Sequence, residues 1–252
     1  MIPYIRRNKI IEELENKDII YIDDFLSIFE NVSSSTIRRD LKILEEEGRI
    51  VMLRGGAVKL RDNSFDIPVE TKKFLNINEK EQIGQLAASL VEDGDVIYLD
   101  SGTTCLQMVK YLNNKQITVI TSGTQVLNEL DGDNVHCIIV GGEVNKATDS
   151  IAGPLTDSNL KNLFFDKAFL GASGISLEGG INTPDFREAS KKAIVKTNSK
   201  ECYVLADSSK FNKNTLCKAM DLNECTIITD KINELFEKET TFIDTNHWEK
   251  VK

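Results

Sequence analysis

The sequence predicts a two-domain protein: a small helical domain ending in a β-hairpin, over residues 1–58, and an α/β domain with a mostly parallel sheet, over residues 78–252. The first domain is indicated by a helix start rich in hydroxyls and arginines, which is followed by two β-rich stretches around a Gly-Gly pair. The second is indicated by short apolar segments that alternate with helical ones. Residues 59–77 are polar and lack a sustained apolar period, so we expect a linker there, with a short strand at 65–67.

A helix that begins near residue 33 is the most informative element of the first domain. Residues 33–41 read Ser-Ser-Ser-Thr-Ile-Arg-Arg-Asp-Leu, and the hydroxyls at the start can cap a helix. At about 100° per residue, one side of this helix is an apolar stripe. The stripe consists of Ile37, Leu41 and Leu44, and the opposite side carries Ser35, Arg39 and Lys42. An ordinary amphipathic surface helix has the same pattern. The neighbouring segments must therefore indicate whether this helix is part of a DNA-binding domain.

The preceding segments complete a helix-turn-helix. A first helix is predicted to end near Asn16, and a second, short helix spans residues 22–29. The tight connection at residues 30–32 then leads directly into the helix that starts at Ser33. This spacing is typical of DNA-binding helix-turn-helix domains.

The segment after this helix predicts the wing of a winged helix. Gly48 is a helix stop signal, and residues 49–58 contain two β-rich stretches around Gly55-Gly56. Such a domain places its third helix in the major groove of double-stranded DNA, which is the expected partner. The predicted DNA-contacting residues are Ser33, Ser34, Ser35, Thr36, Arg38, Arg39, Lys42 and Arg54.

Charge is distributed unevenly along the chain. The formal net charge is −9, which is unfavourable for a protein that binds DNA by neutralising phosphates. Residues 1–60, however, hold 10 Lys and Arg against 11 Asp and Glu, whereas the rest of the chain holds 21 against 29. The basic residues of the first part cluster on the proposed recognition helix and wing. Because this basic surface is small, we expect a homo-oligomer, a dimer or a tetramer.

Seven short apolar segments are the predicted strands of a mostly parallel, Rossmann-like sheet. They are Val96–Asp100, Ile117–Thr121, Cys137–Val140, Lys167–Gly171, Tyr203–Ala206, Thr226–Thr229 and Thr241–Asp244. Helices are expected between them, including one over residues 103–112 and a long one over residues 185–197. In such sheets ligands bind beyond the carboxyl ends of the strands.

Glycines and small polar residues follow several of these strands. A Gly-rich turn that opens a helix offers backbone N–H groups and hydroxyls to a phosphate, although helix capping also explains a single Ser-Gly-Thr-Thr. Five such strand ends on one sheet edge favour a ligand site. Its predicted residues are Asp100, Ser101, Gly102, Thr103, Thr104, Ser122, Gly123, Gly141, Gly142, Gly171, Ser173 and Lys210.

Several classes of function are disfavoured. Neither GxxxxGK[ST] nor GxGxxG is present, so we expect no nucleotide cofactor. The five cysteines are scattered without CxxC spacing and only two histidines are present, so we expect reduced thiols and no metal site. The sequence shows no signal peptide and no apolar run long enough to span a membrane, so we expect a cytoplasmic protein without a membrane partner.

The first domain resembles the N-terminal DNA-binding domain of the DeoR family of bacterial transcriptional regulators. The resemblance covers residues 4–58, and its most specific parts are Thr36-Ile-Arg-Arg-Asp-Leu41, Gly48 and Gly55-Gly-Ala57. Residues 66–244 resemble the sensor domain of the same family, which is similar to ribose-5-phosphate isomerase. This part rests on Asp66-Ile-Pro68, Asp100-Ser-Gly-Thr-Thr104, Gly141-Gly142, Phe169-Leu-Gly-Ala-Ser-Gly-Ile175 and Ala206-Asp-Ser-Ser-Lys-Phe211.

The resemblance implies a transcriptional repressor of a sugar-metabolism operon, controlled by a phosphorylated sugar. It implies that residues 101–104 hold the phosphate and that Lys210 lies near it. The alternative is an active sugar-phosphate isomerase that carries a DNA-binding domain. In the isomerases, two aspartates flank a Gly-Ala pair, whereas Leu170 and Ser173 stand at those positions here. Neither residue can take a proton, so we expect no catalytic residues and no enzyme activity.

Glu188 falls about where the isomerases have a catalytic glutamate, so it is included among the predicted effector-binding residues. It precedes Lys191 and Lys192 on a Lys-rich helix. A glutamate in such a setting is more often a solvated ion-pair partner, and this is the expectation for its environment.

Overall fold

The structure, a computed structural model, describes residues 2–17, 19–29, 32–46, 49–60 and 69–245. The chain divides into two units, residues 1–67 and 68–252, and the division falls within the predicted linker. That linker segment contains the end of a strand at Leu60 and a helix over Val69–Lys72. The expected stop at Gly48 and the expected strand at 65–67 lie outside the described residues.

In the described part of the first unit, three helices and a small sheet are present, which confirms the winged helix. Its elements are α1 (Pro3–Asn16), β1 (Ile20–Tyr21), α2 (Ile22–Ile28), α3 (Ser34–Glu46), β2 (Ile50–Met52) and β3 (Ala57–Leu60). Strands β2 and β3 pair antiparallel, and β1 pairs with the other side of β3. Strand β1 was not predicted, because two residues cannot show an alternating pattern. The apolar stripe of α3 packs with Phe25 and Phe29 in the core of this unit.

The strands of the second unit build one large parallel sheet and two small antiparallel ones. They are β4 (Val96–Leu99), β5 (Ile117–Thr121), β6 (Val135–Ile139), β7 (Glu143–Asn145), β8 (Ser150–Ala152), β9 (Phe165–Gly171), β10 (Gly174–Ser176), β11 (Gly180–Thr183), β12 (Ser199–Leu205), β13 (Cys217–Met220), β14 (Thr226–Thr229) and β15 (Thr241–Asp244). The large sheet has the order β15-β14-β12-β9-β4-β5-β6, and every neighbouring pair in it is parallel. All seven predicted strands lie in this sheet, so the predicted fold class is confirmed.

The small antiparallel sheets were not predicted. One pairs β7 with β8, and the other has the order β10-β11-β13. Their strands have three or four residues, so the sequence contains too few positions to reveal the period of a strand.

Seven helices are described in the second unit. They are α4 (Val69–Lys72), α5 (Ile77–Ser89), α6 (Thr103–Leu106), α7 (Val109–Leu112), α8 (Val126–Glu129), α9 (Pro154–Leu160) and α10 (Phe186–Thr197). The single helix predicted over residues 103–112 is in fact α6 and α7. They are separate because the chain tightens between them, where the N–H groups of Gln107 and Met108 donate to carbonyls three residues back.

Helices cover both faces of the large sheet. Leu99 and Val119 pack against α5, α6 and α7 on one face, and Tyr98 and Ile120 pack with α9 and α10 on the other. Because all strands run in the same direction, the carboxyl ends of β4, β5, β9 and β12 meet at one side of the sheet, which we call the carboxyl edge. Among the described residues, no helix combines the length and apolar character required to cross a membrane.

Candidate functional site

Helix α3 exposes the polar residues that the sequence placed on its outer face. Ser35, Arg38, Arg39 and Lys42 are exposed, and Ser34 and Thr36 are half-buried. The charged ends of Arg38 and Arg39 therefore reach solvent from the first half of the helix, which is the half that enters the major groove in helix-turn-helix proteins. Lys42 forms an exposed ion pair with Glu46 at 3.8 Å.

Ser33 caps the start of this helix. Its Oγ and its carbonyl oxygen both accept the backbone N–H of Thr36, at 3.3 and 2.9 Å. The same Oγ lies 2.9 Å from Ser35 Oγ and 2.8 Å from Thr36 Oγ1. The hydroxyls therefore stabilise the helix start, beside the exposed arginines.

The tip of the wing presents Arg54 to solvent. It precedes Gly55 and Gly56, whose φ angles are +88° and +79°. Two consecutive residues in this left-handed region favour glycine, and they create the tight turn that exposes the arginine.

A buried ion pair, which was not predicted, anchors α3 to α1. The guanidinium of Arg6 donates from Nε to Asp40 Oδ2, and the two residues are only 6% and 3% exposed. Asp40 directly follows the two exposed arginines in the sequence, so this contact sets the orientation in which α3 presents them. Nothing in the local sequence pattern distinguishes this aspartate from a solvated one.

Asp100 is the centre of a buried polar network at the carboxyl edge. Its Oδ2 accepts the N–H of Gly171 at 3.0 Å and the ammonium of Lys192, and its Oδ1 accepts the N–H of Ser101 at 2.9 Å. Lys191 Nζ lies 3.9 Å from Oδ1. Burial by itself would raise the pKa of Asp100, but Lys192 and Lys191 lower it to about 2. The carboxyl group is therefore ionised at neutral pH.

Lys191 extends this network towards β5 and β8. Its side chain is fully buried, and Nζ donates to Ser122 Oγ at 2.9 Å, to Ser150 Oγ at 2.8 Å and to the carbonyl oxygen of Ile151 at 3.1 Å. It also forms an ion pair with Glu188 at 2.9 Å. Ser122, a predicted effector residue, is fully buried and thus contacts this lysine rather than solvent.

The expected environment of Glu188 was wrong. Glu188 is buried, at 8% exposure, and not solvated. Its Oε1 accepts a hydrogen bond from Ser150 Oγ at 2.6 Å. Lys191 and Lys192 are buried as well, at 0% and 6% exposure. Helix α10 therefore directs these three charged residues into the interior, where buried charges are tolerated because each is paired. The sequence pattern alone is the same as that of a solvated helix face.

Glycines bring three loops of the carboxyl edge into backbone contact. A Cβ added to Gly102 would lie 3.5 Å from Gly171 Cα, and one added to Gly123 would lie 3.0 Å from Ser101 Cα. The loops after β4, β5 and β9 therefore touch. These glycines serve close packing, and the loops they join surround Asp100.

Gly141 and Gly142 follow β6 and lie against α9. The carbonyl oxygen of Gly141 accepts Thr156 Oγ1 at 2.9 Å. A Cβ on Gly142 would come within 1.9 Å of the same Thr156 Oγ1, so no larger residue fits there without rearrangement.

The hydroxyl residues after β4 do not cap a helix. The N-cap of α6 is Gly102, and no side chain accepts a hydrogen bond from the first turn. Thr103 and Thr104 are each 7% exposed. The capping explanation for these hydroxyls is therefore not supported. Ser173, after β9, is half-buried and donates its N–H to Asn182 O at 3.1 Å.

A second charged cluster lies at the end of β12, and sequence reasoning found only Lys210 of it. Lys80 on α5 is 3% exposed, and its Nζ donates to Lys72 O at 2.5 Å. Burial and the charges of Lys210 and Lys72 together lower the pKa of Lys80 to about 8, against the opposing effect of Asp207 and Glu79. We call Lys72, Lys80, Lys210 and Asp207 the lysine cluster. No pattern around Lys80 in the sequence signals that this lysine is buried.

Asp207 is the buried carboxylate of this cluster, at 1% exposure. Its Oδ1 accepts Asn76 Nδ2 at 2.8 Å and the N–H of Ser209 at 3.1 Å, whereas its Oδ2 has no hydrogen-bond partner among the described residues. Asn76 is held in the left-handed region, at φ +50°, immediately before α5. The start of α5 is thereby attached to the carboxyl edge.

Family models match both units of the chain. The model of the DeoR-like helix-turn-helix domain matches residues 6–62, and that of the DeoR C-terminal sensor domain matches residues 75–231. The chain belongs to the DeoR family. It is therefore a DNA-binding transcriptional regulator with a C-terminal sensor domain, as the resemblance predicted.

Curated relatives agree with this assignment over nearly the whole chain. The chain is 38% identical over 231 residues to the uncharacterized HTH-type transcriptional regulator FruR of Bacillus subtilis, covering 91% of this chain and 92% of the relative. It is 33% identical over 242 residues to a lactose phosphotransferase system repressor of Staphylococcus epidermidis, covering 93% and 88%. With HTH-type transcriptional regulator IolR of Bacillus subtilis it shares 32% identity over 212 residues, covering 82% and 84%.

Among solved structures, the ribose 5-phosphate isomerase A of Methanocaldococcus jannaschii shares 22% identity, with a TM-score of 0.40, over 54% of this chain and 55% of that one. A likeness at this level carries no argument about activity.

Proposed function

We propose that this DeoR-family regulator is a cytoplasmic repressor of a sugar-metabolism operon, controlled by a phosphorylated sugar bound at the carboxyl edge. The names of two relatives support this class of role: a lactose phosphotransferase system repressor and a putative aga operon transcriptional repressor of Escherichia coli, the latter 32% identical over 227 residues. In this proposal the winged helix contacts operator DNA with the eight residues predicted above. The domain boundaries proposed from the sequence, 1–58 and 78–252, assign these two tasks to separate parts of the chain.

The observation that carries the effector proposal is the lysine cluster. Its lysine side chains lie near the carboxylates of Asp207 and Glu79 at the end of β12. The pKa of Lys80 is lowered because burial, and then the neighbouring charges of Lys210 and Lys72, disfavour its protonated form. A phosphate dianion placed beside Lys80 and Lys210 would stabilise that form. Phosphate is favoured over a carboxylate because it brings two negative charges at neutral pH.

The sugar itself would extend from this phosphate towards Asp100. Ser101, Thr103 and Thr104 follow β4, which is separated from β12 only by β9. In this proposal residues 101–104, which the resemblance implies hold the phosphate, instead contact the sugar, whose hydroxyl groups exchange hydrogen bonds with these side chains and with Gly171. Ser122 and Glu188 would act through Lys191, since both are buried against its ammonium.

We infer that the domain binds a sugar phosphate without isomerising it. Aldose–ketose exchange requires a carboxylate that accepts a proton from carbon. Asp100 is paired with Lys192, and Glu188 with Lys191, so both carboxylates are engaged in ion pairs. Incubation with ribose 5-phosphate, followed by NMR, should show no conversion. Multiple turnovers that disappear in Glu188→Gln would favour the isomerase alternative.

Regulation would follow from unequal affinity of the effector for two states of the protein. A sugar phosphate that binds the DNA-incompetent arrangement more tightly than the DNA-competent one shifts the population towards release. The operator would then be vacated when the phosphorylated sugar accumulates.

A thermal-shift screen tests the proposal directly, because a ligand that binds the folded state raises the unfolding temperature. Purified protein should be screened against phosphorylated sugars and the same sugars without phosphate. We expect stabilisation by at least one phosphorylated sugar and by none of the free ones. Lys80→Met should abolish this shift, whereas Lys196→Met, which alters a lysine paired with Glu224 on the outer side of α10, should retain it. Stabilisation of Lys80→Met equal to that of wild type would dismiss the cluster as the phosphate site.

A further inference from the structure

Strand β6 is one edge of the large sheet and has no strand partner on its outer side among the described residues. In a parallel strand, alternate residues direct both backbone polar groups towards the same neighbour. The N–H of Val140, just beyond the end of β6, donates to the carbonyl oxygen of Thr121, the last residue of β5, at 2.9 Å. By this alternation, Ile138 also points its backbone groups towards β5, and Cys137 and Ile139 point theirs outward.

Exposed apolar side chains lie on both faces of the sheet at this outer edge, with His136 beside Ile138 on one of them. Ile139 shares a face with Val135, which packs with the core of α5, α6 and α7. Ile138 shares the opposite face with Val140, which packs with the core of α9 and α10. The two isoleucines are 36% and 41% exposed. An edge strand with open hydrogen-bonding groups and exposed isoleucines on both faces favours pairing with another strand.

This edge also lacks the usual protection against such pairing. Natural edge strands are commonly protected by charged residues or proline. Residues 135–140 read Val-His-Cys-Ile-Ile-Val and contain neither. The opposite edge strand, β15, ends in Asp244. Strand β6 itself therefore contains no Asp, Glu, Lys or Arg, whereas β15 contains one aspartate.

We propose that β6 pairs antiparallel with β6 of a second copy of this chain across a two-fold axis, so that the two large sheets become continuous. This arrangement satisfies the outward backbone groups of Cys137 and Ile139 and buries Ile138 of both copies. A second copy fits for two reasons. The first is that an uncharged strand lets two chains of net charge −9 meet without opposing like charges. The second is that winged-helix proteins bind paired half-sites on DNA, which requires two copies of the DNA-binding unit. The proposal does not depend on the identity of the effector.

Analytical ultracentrifugation of the full chain tests this interface. Ile138→Lys places two ammonium groups opposite each other at the axis, and we expect the dissociation constant of the dimer to rise by roughly 30-fold or more. The matched control is Phe164→Lys, which changes a side chain that is 78% exposed just before β9, two strands away from β5. The control should dissociate like wild type.

Two further measurements cover the case in which Ile138→Lys fails to fold. Ile139→Pro removes only an outward N–H, so it should dissociate the dimer while circular dichroism stays that of wild type. In the unmodified protein, the amides of Cys137 and Ile139 should exchange slowly with deuterium at high concentration and quickly after dilution. A wild-type monomer at all concentrations, or amide exchange at these two residues that is independent of concentration, overturns the proposal. Unchanged self-association of folded Ile138→Lys does so as well.

Discussion

Asp40→Ala is expected to destabilise the winged helix severely, because Asp40 supplies the carboxylate that pairs with the buried guanidinium of Arg6. The two residues are 3% and 6% exposed. Removal of one member of a buried ion pair costs about 3–5 kcal/mol. A unit of about 60 residues has a total stability of about 3–9 kcal/mol, at about 0.05–0.15 kcal/mol per residue. The substitution should therefore remove most of the stability of the unit, and operator binding with it.

The same helix offers a matched control. Glu46 pairs with Lys42 at 3.8 Å, and both side chains are largely exposed, at 65% and 75%. An exposed pair of this kind contributes at most about 0.5 kcal/mol. Glu46→Ala also removes a carboxylate from α3, but at a solvated position, so the difference in stability between the two variants isolates the effect of burial.

Urea denaturation followed by circular dichroism measures both variants. A double variant, Arg6→Met with Asp40→Leu, should recover the stability lost in Asp40→Ala, because well-packed apolar residues often replace a buried ion pair without loss. If Asp40→Ala costs no more than Glu46→Ala, the buried pair does not anchor α3, and the reasoning is refuted.

Three further predictions concern the two sites. Arg39→Ala should weaken operator binding by about 1–3 kcal/mol, since this exposed arginine lies on the outer face of α3; an electrophoretic mobility shift at matched salt that equals wild type would remove it from the interface. The affinity for the phosphorylated effector should fall roughly tenfold between pH 7 and pH 9. The reason is that Lys80, with a pKa of about 8, must be protonated to bind a phosphate and loses its proton over this range. Calorimetric titration across this pH range measures the affinity, and an affinity that does not change with pH excludes Lys80 from the phosphate site. Gly142→Ala should lower the stability of the sensor domain by about 1–3 kcal/mol, because the new Cβ would lie 1.9 Å from Thr156 Oγ1; Gly141→Ala, where the nearest atom is at 3.6 Å, is the control in the same melting experiment.

The prediction of the fold from sequence succeeded where the signal was local and repeated. The helix at residue 33 combined caps, an apolar stripe and exposed arginines within one stretch of chain. The strands of the large sheet are mostly apolar because the inner strands of a parallel sheet are buried on both faces. The strands that were missed, such as β1 and β10, have two or three residues and contain less than one full repeat of any pattern.

Which charged residues are buried was decided only by the tertiary structure. Glu188, Lys191 and Lys192 lie on one helix whose pattern matches that of a solvated face, yet they are buried against residues 38 to 92 positions away in the sequence, such as Ser150 and Asp100. Lys80 gave no signal for the same reason, since its neighbours Lys210 and Asp207 are brought to it only by the packing of α5 against the sheet. The sequence by itself determined the two domains, the helix with the exposed arginines and the strand ends that meet at the carboxyl edge, because these depend on residues close together in the chain. The partners of its buried charges depend on long-range contacts, and only the folded chain specifies those.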